Sequence, residues 1–250
     1  MARVASVQFA PVMGAKLENL RRLALLVKEA AQKGAKLIVL PELATGGYSY
    51  MNAEQARRDA EVINPEGTTM KVMLRLAKGF GVHLVWGMVE EDPGTKQLHN
   101  AQVLVSPDGF YTSYRKINRW GNDFLWATPG ASNPPIANLD LDGSTVKVGL
   151  LICRDVRDKK DDAWTDFYEK GDADVVCLSA NWGDGGFPAV TWMDFVESNG
   201  AALIVSNRYG KEAPNNFGEG GICVIQKDGT VHCDGLLWDR DCIVVAELGS

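Results

Sequence analysis

The sequence predicts a layered α/β fold with mixed β-sheets, and three observations predict it. Helical and strand-like segments alternate along the chain, which is typical of α/β layers. Two other segments each hold a pair of strand-like runs around an Asp-Gly turn, which is typical of antiparallel hairpins. No linker or low-complexity segment divides the 250 residues, so a single domain over residues 1–250 is expected, built from two halves that each contribute a sheet.

The alternating segments begin at the amino end. RVASVQF (3–9) alternates apolar and polar residues and predicts a half-buried strand. LENLRRLALLVKEAAQKG (17–34) has helical spacing and ends at a glycine, and AKLIVL (35–40) is short and β-prone. The same order returns in MKVMLRLAKGFGVHLVWGMV (70–89), FYEKGDADVVCLSAN (167–181) and VESNGAALIVSNR (196–208).

The two predicted hairpins are NAQVLVSPDGFYTSYRK (100–116) and GGICVIQKDGTVHC (220–233). They make the sheets mixed, because hairpin strands are antiparallel whereas strands separated by a helix are usually parallel. In such sheets ligand sites lie where the strands end at their carboxyl edges. Polar residues follow four predicted strands, in segments 41–43, 153–155, 181–182 and 207–208.

Composition narrows the function classes. The formal net charge is -6, with 26 Lys and Arg against 32 Asp and Glu, and no basic run is present, which argues against nucleic-acid or anionic-membrane binding. The amino end lacks the pattern of a secretory signal, and no apolar run is as long as a membrane span, so a soluble cytosolic protein is expected. The five cysteines are odd in number and lack C-x-x-C spacing, which predicts reduced thiols that mostly fill the core.

Several site types do not fit the sequence. The three histidines, His83, His99 and His232, form no H-E-x-x-H motif and no metal-ligand spacing with cysteine, so no metal is predicted. His83 and His232 are expected to be structural or exposed, whereas His99 stays open as a possible base. The glycine-rich stretches GDGGF and GEGGI match neither phosphate-loop motif and are expected to be ordinary loops.

A carboxylate, a lysine and a thiol stand out as possible catalysts. Cys153 ends the apolar run VGLLI and is followed by the charged residues Arg154 and Asp155, a boundary at which a thiol pKa can be tuned. A carboxylate such as Glu42 can activate a thiol, and an ammonium such as Lys116 can stabilise an oxyanion. Taken singly, each has a plain alternative: a helix-initiating acid, a solvated lysine and an inert core thiol.

Three segments that contain these residues resemble a known family. LPELATGGY, YRKINRW and VGLLICRDVR resemble the three catalytic signatures of the nitrilase superfamily, the carbon–nitrogen hydrolases, in the family's order and intervals. The resemblance implies a four-layer α-β-β-α sandwich that pairs with a second copy, giving a homodimer or higher homo-oligomer. It also implies that Glu42 is the general base and acid, Lys116 the oxyanion stabiliser and Cys153 the nucleophile on a strained turn, with no cofactor.

The resemblance extends to residues around the three. Asp123 stands where a second glutamate is usual in the family, and the backbone N–H of Arg154 is expected to meet the oxyanion. The expected pocket walls are Tyr48, Trp120, Asn181 and Trp182. Arg154 and Arg157 could bind a substrate carboxylate in bidentate fashion, or pair with nearby acids on a solvated turn.

The function implied is hydrolysis of a small non-peptide amide through a cysteine thioester, releasing ammonia or an amine. In the family that the sequence resembles, an acid such as Asp155 two places after the cysteine goes with amide or carbamoyl substrates more often than with nitriles, which favours an amidase. An N-carbamoyl amide hydrolase and a nitrilase are the alternatives within the same superfamily. Transfer of the acyl group to an amine is a further alternative. A catalytically silent binding scaffold and a thiol redox protein are disfavoured, because the three residues are intact and Cys153 has no resolving cysteine nearby in sequence.

Overall fold

The computed structural model describes residues 2–156, 172–183, 187–218, 220–233 and 240–249. The described strands are β1 (Arg3–Gln8), β2 (Leu37–Val39), β3 (His83–Glu91), β4 (Leu98–Val105), β5 (Tyr111–Arg115), β6 (Ile136–Leu141), β7 (Ser144–Ile152), β8 (Val175–Ser179), β9 (Ala202–Ser206), β10 (Lys211–Glu212), β11 (Asn215–Asn216), β12 (Cys223–Ile225), β13 (Val231–His232) and β14 (Cys242–Glu247). The described helices are α1 (Lys16–Gln32), α2 (Ala53–Arg57), α3 (Thr68–Phe80), α4 (Asp123–Trp126) and α5 (Val190–Asn199), with a 3-10 turn at Cys153–Val156.

Twelve of these strands form two six-stranded sheets with the same internal plan. The first has the order β14-β1-β2-β3-β4-β5 and the second the order β13-β12-β9-β8-β7-β6. Each has three parallel strands at its centre and antiparallel strands at its edges. The prediction of two mixed sheets is confirmed, and both predicted hairpins are present as β4–β5 and β12–β13.

The two sheets pack face to face, and helices cover their outer faces. Helices α1 and α3 pack on the first sheet through an apolar cluster that includes Leu23, Val27 and Met73. Helix α5 packs on the second sheet through Trp192 and Phe195. The four-layer α-β-β-α sandwich is therefore confirmed, and it buries both faces of the central strands.

The prediction of a half-buried β1 is wrong, because all its residues from Val4 to Gln8 are buried. The polar side of this strand faces the second sheet instead of water. The Ser6 hydroxyl donates to the main-chain oxygen of Val205, and the Gln8 amide donates to that of Arg240 at 2.9 Å. Alternation in sequence marks two different faces, but it does not show that the polar face is exposed.

Hydrogen bonds between the sheets align the edge at which the strands end. The Ser206 hydroxyl donates to the main-chain oxygen of Val7 at 2.5 Å, in the reverse sense of the Ser6 bond. The Ser179 hydroxyl, at the end of β8, donates to the main-chain oxygen of Leu40 at 2.8 Å. The carboxyl ends of β2 and β8 are thereby held together, which brings the polar exits of the two sheets to one place.

The remaining predictions concern single segments. The predicted helix within FYEKG lies outside the described residues, as does Arg157. Cys177 and Cys223 are buried core thiols, whereas Cys233 is exposed. Among the described helices, none has the length and apolar character that crossing a bilayer requires.

Candidate active site

Glu42 follows β2 and is held by backbone contacts on both sides. Leu40 donates its N–H to Val85 O at 2.8 Å, and Gly87 donates to Pro41 O at 3.0 Å, so the chain entering Glu42 continues to pair with β3. Leu43 then adopts a φ of 50°, a left-handed conformation that is rare for a residue with a branched side chain. The turn directs the Glu42 side chain into the interior, where it has no exposed surface.

Lys116 follows β5 and is positioned by its own main chain. Its N–H donates to Asn100 O at 2.8 Å, and its C=O accepts from Gly130 N at 2.9 Å. A side chain at Gly130 would lie 2.1 Å from Arg115 O, so only glycine permits this contact. The Thr-Pro-Gly segment thus packs against the main chain at Arg115 and Lys116. The Lys116 side chain is almost fully buried.

The three charged groups meet around the lysine ammonium. Lys116 Nζ lies 2.7 Å from Glu42 Oε1 and 2.8 Å from Asp123 Oδ2. The Asp123 carboxylate also accepts from Trp120 N at 3.1 Å, which fixes it at the start of α4. Since an ammonium has three donors, these two bonds leave a third for another acceptor.

Asn100 completes the cluster, and the sequence analysis missed it. Its side-chain Nδ2 donates to Glu42 Oε1 at 2.7 Å and to Asp123 Oδ1 at 3.1 Å. Glu42 Oε1 therefore accepts two hydrogen bonds, whereas Glu42 Oε2 is buried and accepts none within the described residues. Asn100 is one of three polar residues in the buried strand β4, with His99 and Gln102; a buried amide needs partners, but the sequence does not say which.

Cys153 lies at the end of β7, on the opposite sheet from Glu42. Its φ is 46°, so it occupies the left-handed region at the first residue of the 3-10 turn. Non-glycine residues in that region carry backbone strain of about 1–3 kcal/mol, which surrounding contacts have to compensate. The thiol is buried, with 6% of the residue exposed.

Asp155 supplies the compensating contacts for that turn. Its carboxylate accepts from Ile152 N at 3.1 Å, from Asn118 N at 3.1 Å and from the Tyr114 hydroxyl at 3.0 Å. These bonds tie the turn at Cys153 to the segment that follows Lys116. Burial raises the pKa of Asp155 to about 7, against the lowering effect of the Lys116 charge and of the hydrogen bonds.

Burial of the charged groups shifts their pKa values. Burial raises the pKa of Cys153 to about 12; the Glu42 charge adds to this, while Lys116 and a hydrogen bond from the Asn181 backbone oppose it. Burial also raises the pKa of Glu42, against Lys116. For Lys116, burial favours the neutral form, but the charges of Asp123 and Glu42 outweigh it and raise the pKa well above its usual range.

These interactions show which predicted residues the structure brings together. Glu42, Lys116 and Asp123 are in direct contact, and Cys153 lies within range of their charges. With a pKa of about 12 the resting thiol is neutral, and it lies near a charged ammonium and a carboxylate of which one oxygen accepts no hydrogen bond within the described residues. Such an arrangement allows a proton to pass from sulfur to carboxylate as the sulfur attacks an electrophile.

The predicted wall residues lie on the segments that follow Glu42, Lys116 and β8. Tyr48 is buried, donates its hydroxyl to Trp120 O at 2.5 Å, and packs edge-on against Phe217 with ring centroids 5.4 Å apart. Asn181 donates its side-chain amide to Glu42 O at 3.2 Å, and the half-buried Trp182 packs against Trp192. Arg154, half-buried, follows Cys153 in the 3-10 turn.

A buried ion pair braces one of these walls, and the sequence analysis did not single it out. Arg208 Nη1 lies 3.0 Å from Glu212 Oε2, and the guanidinium sits 4.3 Å from the Phe217 ring centroid. The other oxygen, Glu212 Oε1, accepts from Tyr48 N and from Ser49 N, both at 2.7 Å. The loop that follows Glu42 is therefore anchored to the exit of β9.

The histidines and acids give no sign of a metal site in the described part of the chain, where no group of three or more His, Cys, Asp or Glu side chains could hold an ion. His99, the histidine left open above, is buried and its Nδ1 contacts Thr128 O at 2.9 Å. Burial lowers the pKa of His99, with help from Arg115. The charges that act on the Cys153 thiol come from Glu42, Lys116 and Asp123.

The chain matches a known family over nearly its whole length. The model of the carbon–nitrogen hydrolase family matches residues 3–249. The chain belongs to the carbon–nitrogen hydrolase family. The resemblance to the nitrilase superfamily, first noted in three short motifs, is thus confirmed over nearly the whole chain.

Curated relatives in this family carry several names. The chain is 36% identical over 155 residues to a nitrilase from Pyrococcus abyssi, covering 62% of this chain and 56% of the relative. It is 34% identical to an omega-amidase from Xenopus tropicalis, covering 62% and 55%, and 28% identical to a 2-oxoglutaramate amidase from Bacillus subtilis, covering 72% and 64%. The matched part thus spans little more than half the length of the first two relatives.

Solved structures of the family share the fold. An amidase from Nesterenkonia sp. AN1, with acrylamide added at its active-site cysteine, superposes with a TM-score of 0.80 at 22% identity. The superposition covers 100% of this chain and 94% of that one. A second structure of the same amidase, carrying the acetamide moiety of fluoroacetamide on that cysteine, gives the same TM-score with 99% and 90% coverage.

Proposed function

We propose that the protein is a cofactor-independent amidase that hydrolyses a small non-peptide amide through a thioester on Cys153. The observation that carries the proposal is the contact of Lys116 Nζ with both Glu42 and Asp123, together with the effect of all three charges on the pKa of the Cys153 thiol. Family membership supports the reaction class, since the family is named for the hydrolysis of carbon–nitrogen bonds.

In the first step the Cys153 sulfur attacks the amide carbonyl carbon while its proton passes to Glu42. Because the pKa of the thiol is about 12, the sulfur is protonated at rest and needs a base. Glu42 Oε2 suits this role, since Oε1 is occupied by Lys116 and Asn100 whereas Oε2 accepts no hydrogen bond within the described residues. The raised pKa of Glu42 brings its basicity closer to that needed for proton transfer near neutral pH.

The negative oxygen formed in this step meets two donors. Within the described residues the Lys116 ammonium bonds two carboxylates, which leaves a third N–H for the oxyanion, and the backbone N–H of Arg154 follows the nucleophile directly in sequence. Removing one well-placed oxyanion donor from a hydrolase costs about 3 to 4 kcal/mol of transition-state stabilisation. Asp123 keeps the ammonium charged and oriented without touching the substrate.

Collapse of the intermediate breaks the C–N bond as Glu42 returns the proton to the leaving nitrogen. Ammonia or an amine departs and a thioester remains on Cys153. Glu42, again a carboxylate, takes a proton from water, which attacks the thioester; the C–S bond then breaks, the acid product leaves, and Glu42 passes the proton back to sulfur to restore the thiol. The burial of the cluster supports this sequence, because charge interactions are stronger in a protein interior than in bulk water.

The names of the relatives favour short aliphatic amides and ω-amides of small carboxylic acids as first substrates to test. The wall of Tyr48, Trp120 and Phe217 suits a small acyl group with an apolar part. Nitrile hydrolysis is the second candidate, because the 36% identical relative is named a nitrilase. The homodimer, the cytosolic location and the single-domain extent stay predictions from the sequence.

An ammonia-release screen tests the proposal, with short amides, ω-amides, N-carbamoyl acids and nitriles as substrates. On the best substrate, Cys153→Ala should abolish turnover while leaving the melting temperature close to that of the wild type. Cys177→Ala is the matched control: it also deletes a buried thiol, but one whose pKa is raised by burial alone, without charged partners. Full activity in Cys153→Ala, or equal loss in Cys177→Ala, contradicts the assignment of the nucleophile.

A further inference from the structure

The exit of β9 carries a buried asparagine that the proposed reaction does not use. Asn207 has no exposed surface, and its carboxamide makes three hydrogen bonds to main-chain groups. Asn207 Oδ1 accepts from Trp182 N at 2.8 Å and from Arg208 N at 2.9 Å, and Nδ2 donates to Trp182 O at 3.1 Å. The side chain therefore binds both the N–H and the C=O of Trp182, which fixes the planes of the two peptide groups that flank that residue.

The residue before this clamp, Asn181, bonds the main chain of the proposed base and acts on the pKa of the proposed nucleophile. Asn181 donates its side-chain amide to the main-chain oxygen of Glu42 at 3.2 Å. As a hydrogen-bond donor, the Asn181 main chain also lowers the pKa of the Cys153 thiol, against the effect of burial, and so favours the thiolate. On its other side, Ala180 N donates to Ser206 O at 2.8 Å, so the β8 exit is pinned to the β9 exit both before and after Asn181.

We propose that Asn207 is a positioning residue of the active site: by clamping the Trp182 main chain, it places the neighbouring Asn181 against Cys153 and Glu42. Asn181 lies between two pinned points, Ala180 and Trp182, so its N–H has little freedom to turn away from the sulfur. Loss of the second point lets the peptide rotate, and the sulfur loses a donor that favours its anionic form. The kinetic part of this inference rests on the proposed function, whereas the part that concerns the thiol does not.

The test measures the pH profile of Cys153 alkylation by iodoacetamide, followed by mass mapping of the peptide that contains Cys153. Asn207→Ala removes all three bonds, and the profile should move to higher pH by about half a unit or more. With the best amide substrate, kcat should fall about tenfold or more. Asn207→Ser is the second variant, because one hydroxyl cannot reach both main-chain groups of Trp182, and the same direction of change is expected.

Asn199→Ala is the matched control. It also deletes a buried carboxamide, which donates to Phe195 O and to the Ser198 hydroxyl, both at 3.2 Å, at the end of α5. Its alkylation profile and kcat should equal those of the wild type. The inference is overturned if either folded Asn207 variant keeps the wild-type profile and kcat, or if Asn199→Ala shifts the profile equally. If the wild type turns over none of the substrates, the proposed function is contradicted. The alkylation profiles of Cys153 still decide the role of Asn207 in that case.

Discussion

Gly87 in β3 lies directly under the backbone of Glu42, and Gly87→Ala tests how closely that carboxylate is positioned. A Cβ at Gly87 would lie 2.3 Å from Leu43 N and 2.6 Å from Glu42 Cα. Ordinary contacts of this kind are 3.4–4 Å, so the backbone at Glu42 has to move by about 1 Å. The atoms in conflict are backbone atoms, and Gly87 N also donates to Pro41 O, so no flexible side chain can absorb the clash.

A displacement of about 1 Å of a catalytic group costs on the order of a hundredfold in rate. We therefore expect Gly87→Ala to lower kcat about a hundredfold, with a destabilisation of about 1–3 kcal/mol from overpacking. The assay is steady-state ammonia release on the best amide, alongside urea unfolding of the same preparation. The loss should appear under conditions in which the variant is fully folded.

Gly79→Ala in α3 is the control for the same substitution. No atom lies within 4 Å of a Cβ at Gly79, and alanine is favoured over glycine in a helix by up to about 1 kcal/mol. This variant should keep wild-type kcat with equal or greater stability. A folded Gly87→Ala enzyme with wild-type kcat would show that the Glu42 backbone does not need its present position, and the positioning argument would fail.

Three further substitutions test other parts of the site. Asp123→Asn removes the carboxylate charge 2.8 Å from Lys116 Nζ and should lower kcat about tenfold to a hundredfold. The melting temperature should change little, because Lys116 keeps Glu42 as its charged partner; unchanged kcat would remove Asp123 from the mechanism. Asp155 has a pKa of about 7 in the folded state and about 3.8 in the unfolded state, so the folded state holds the proton more tightly. The free energy of unfolding therefore falls as pH rises from about 4 to about 7, by at most about 4 kcal/mol. Urea unfolding across this range should show a steeper loss for wild type than for Asp155→Asn, and equal slopes would contradict the raised pKa. Glu212→Gln leaves the Arg208 charge buried without its partner and should cost about 3 kcal/mol or more in urea unfolding; a neutral result would mean that the pair does not brace the Tyr48 loop.

Much of the fold follows from local pattern. Alternation of helical and strand-like segments, and the two Asp-Gly turns, predict the mixed sheets because both signals arise within a few residues. The burial of β1 was misjudged, since Ser6 and Gln8 find their partners about 200 residues away in sequence. Periodicity separates the two faces of a strand, but what covers each face depends on the whole chain.

The candidate site shows the same division. Glu42 and Cys153 are visible as polar residues at the ends of apolar strands, and the family motifs add Lys116. Asn100 was not predicted, and Asn207 was noted only as a polar residue at the end of a predicted strand, because nothing local distinguishes an asparagine that bonds distant groups from one that merely ends or interrupts a strand. Gly87 is likewise one glycine among 26, and its role depends on the close approach of a neighbouring strand.

The central claim is that Cys153 carries the acyl group of the substrate during turnover. Rapid acid quenching of the enzyme with its best amide substrate, followed by peptide mapping, tests it most directly. The account predicts that the acyl mass is on the peptide containing Cys153, that it disappears with neutral hydroxylamine, and that Cys153→Ala never acquires it. An acyl group on another residue, or full turnover in Cys153→Ala, would contradict the account.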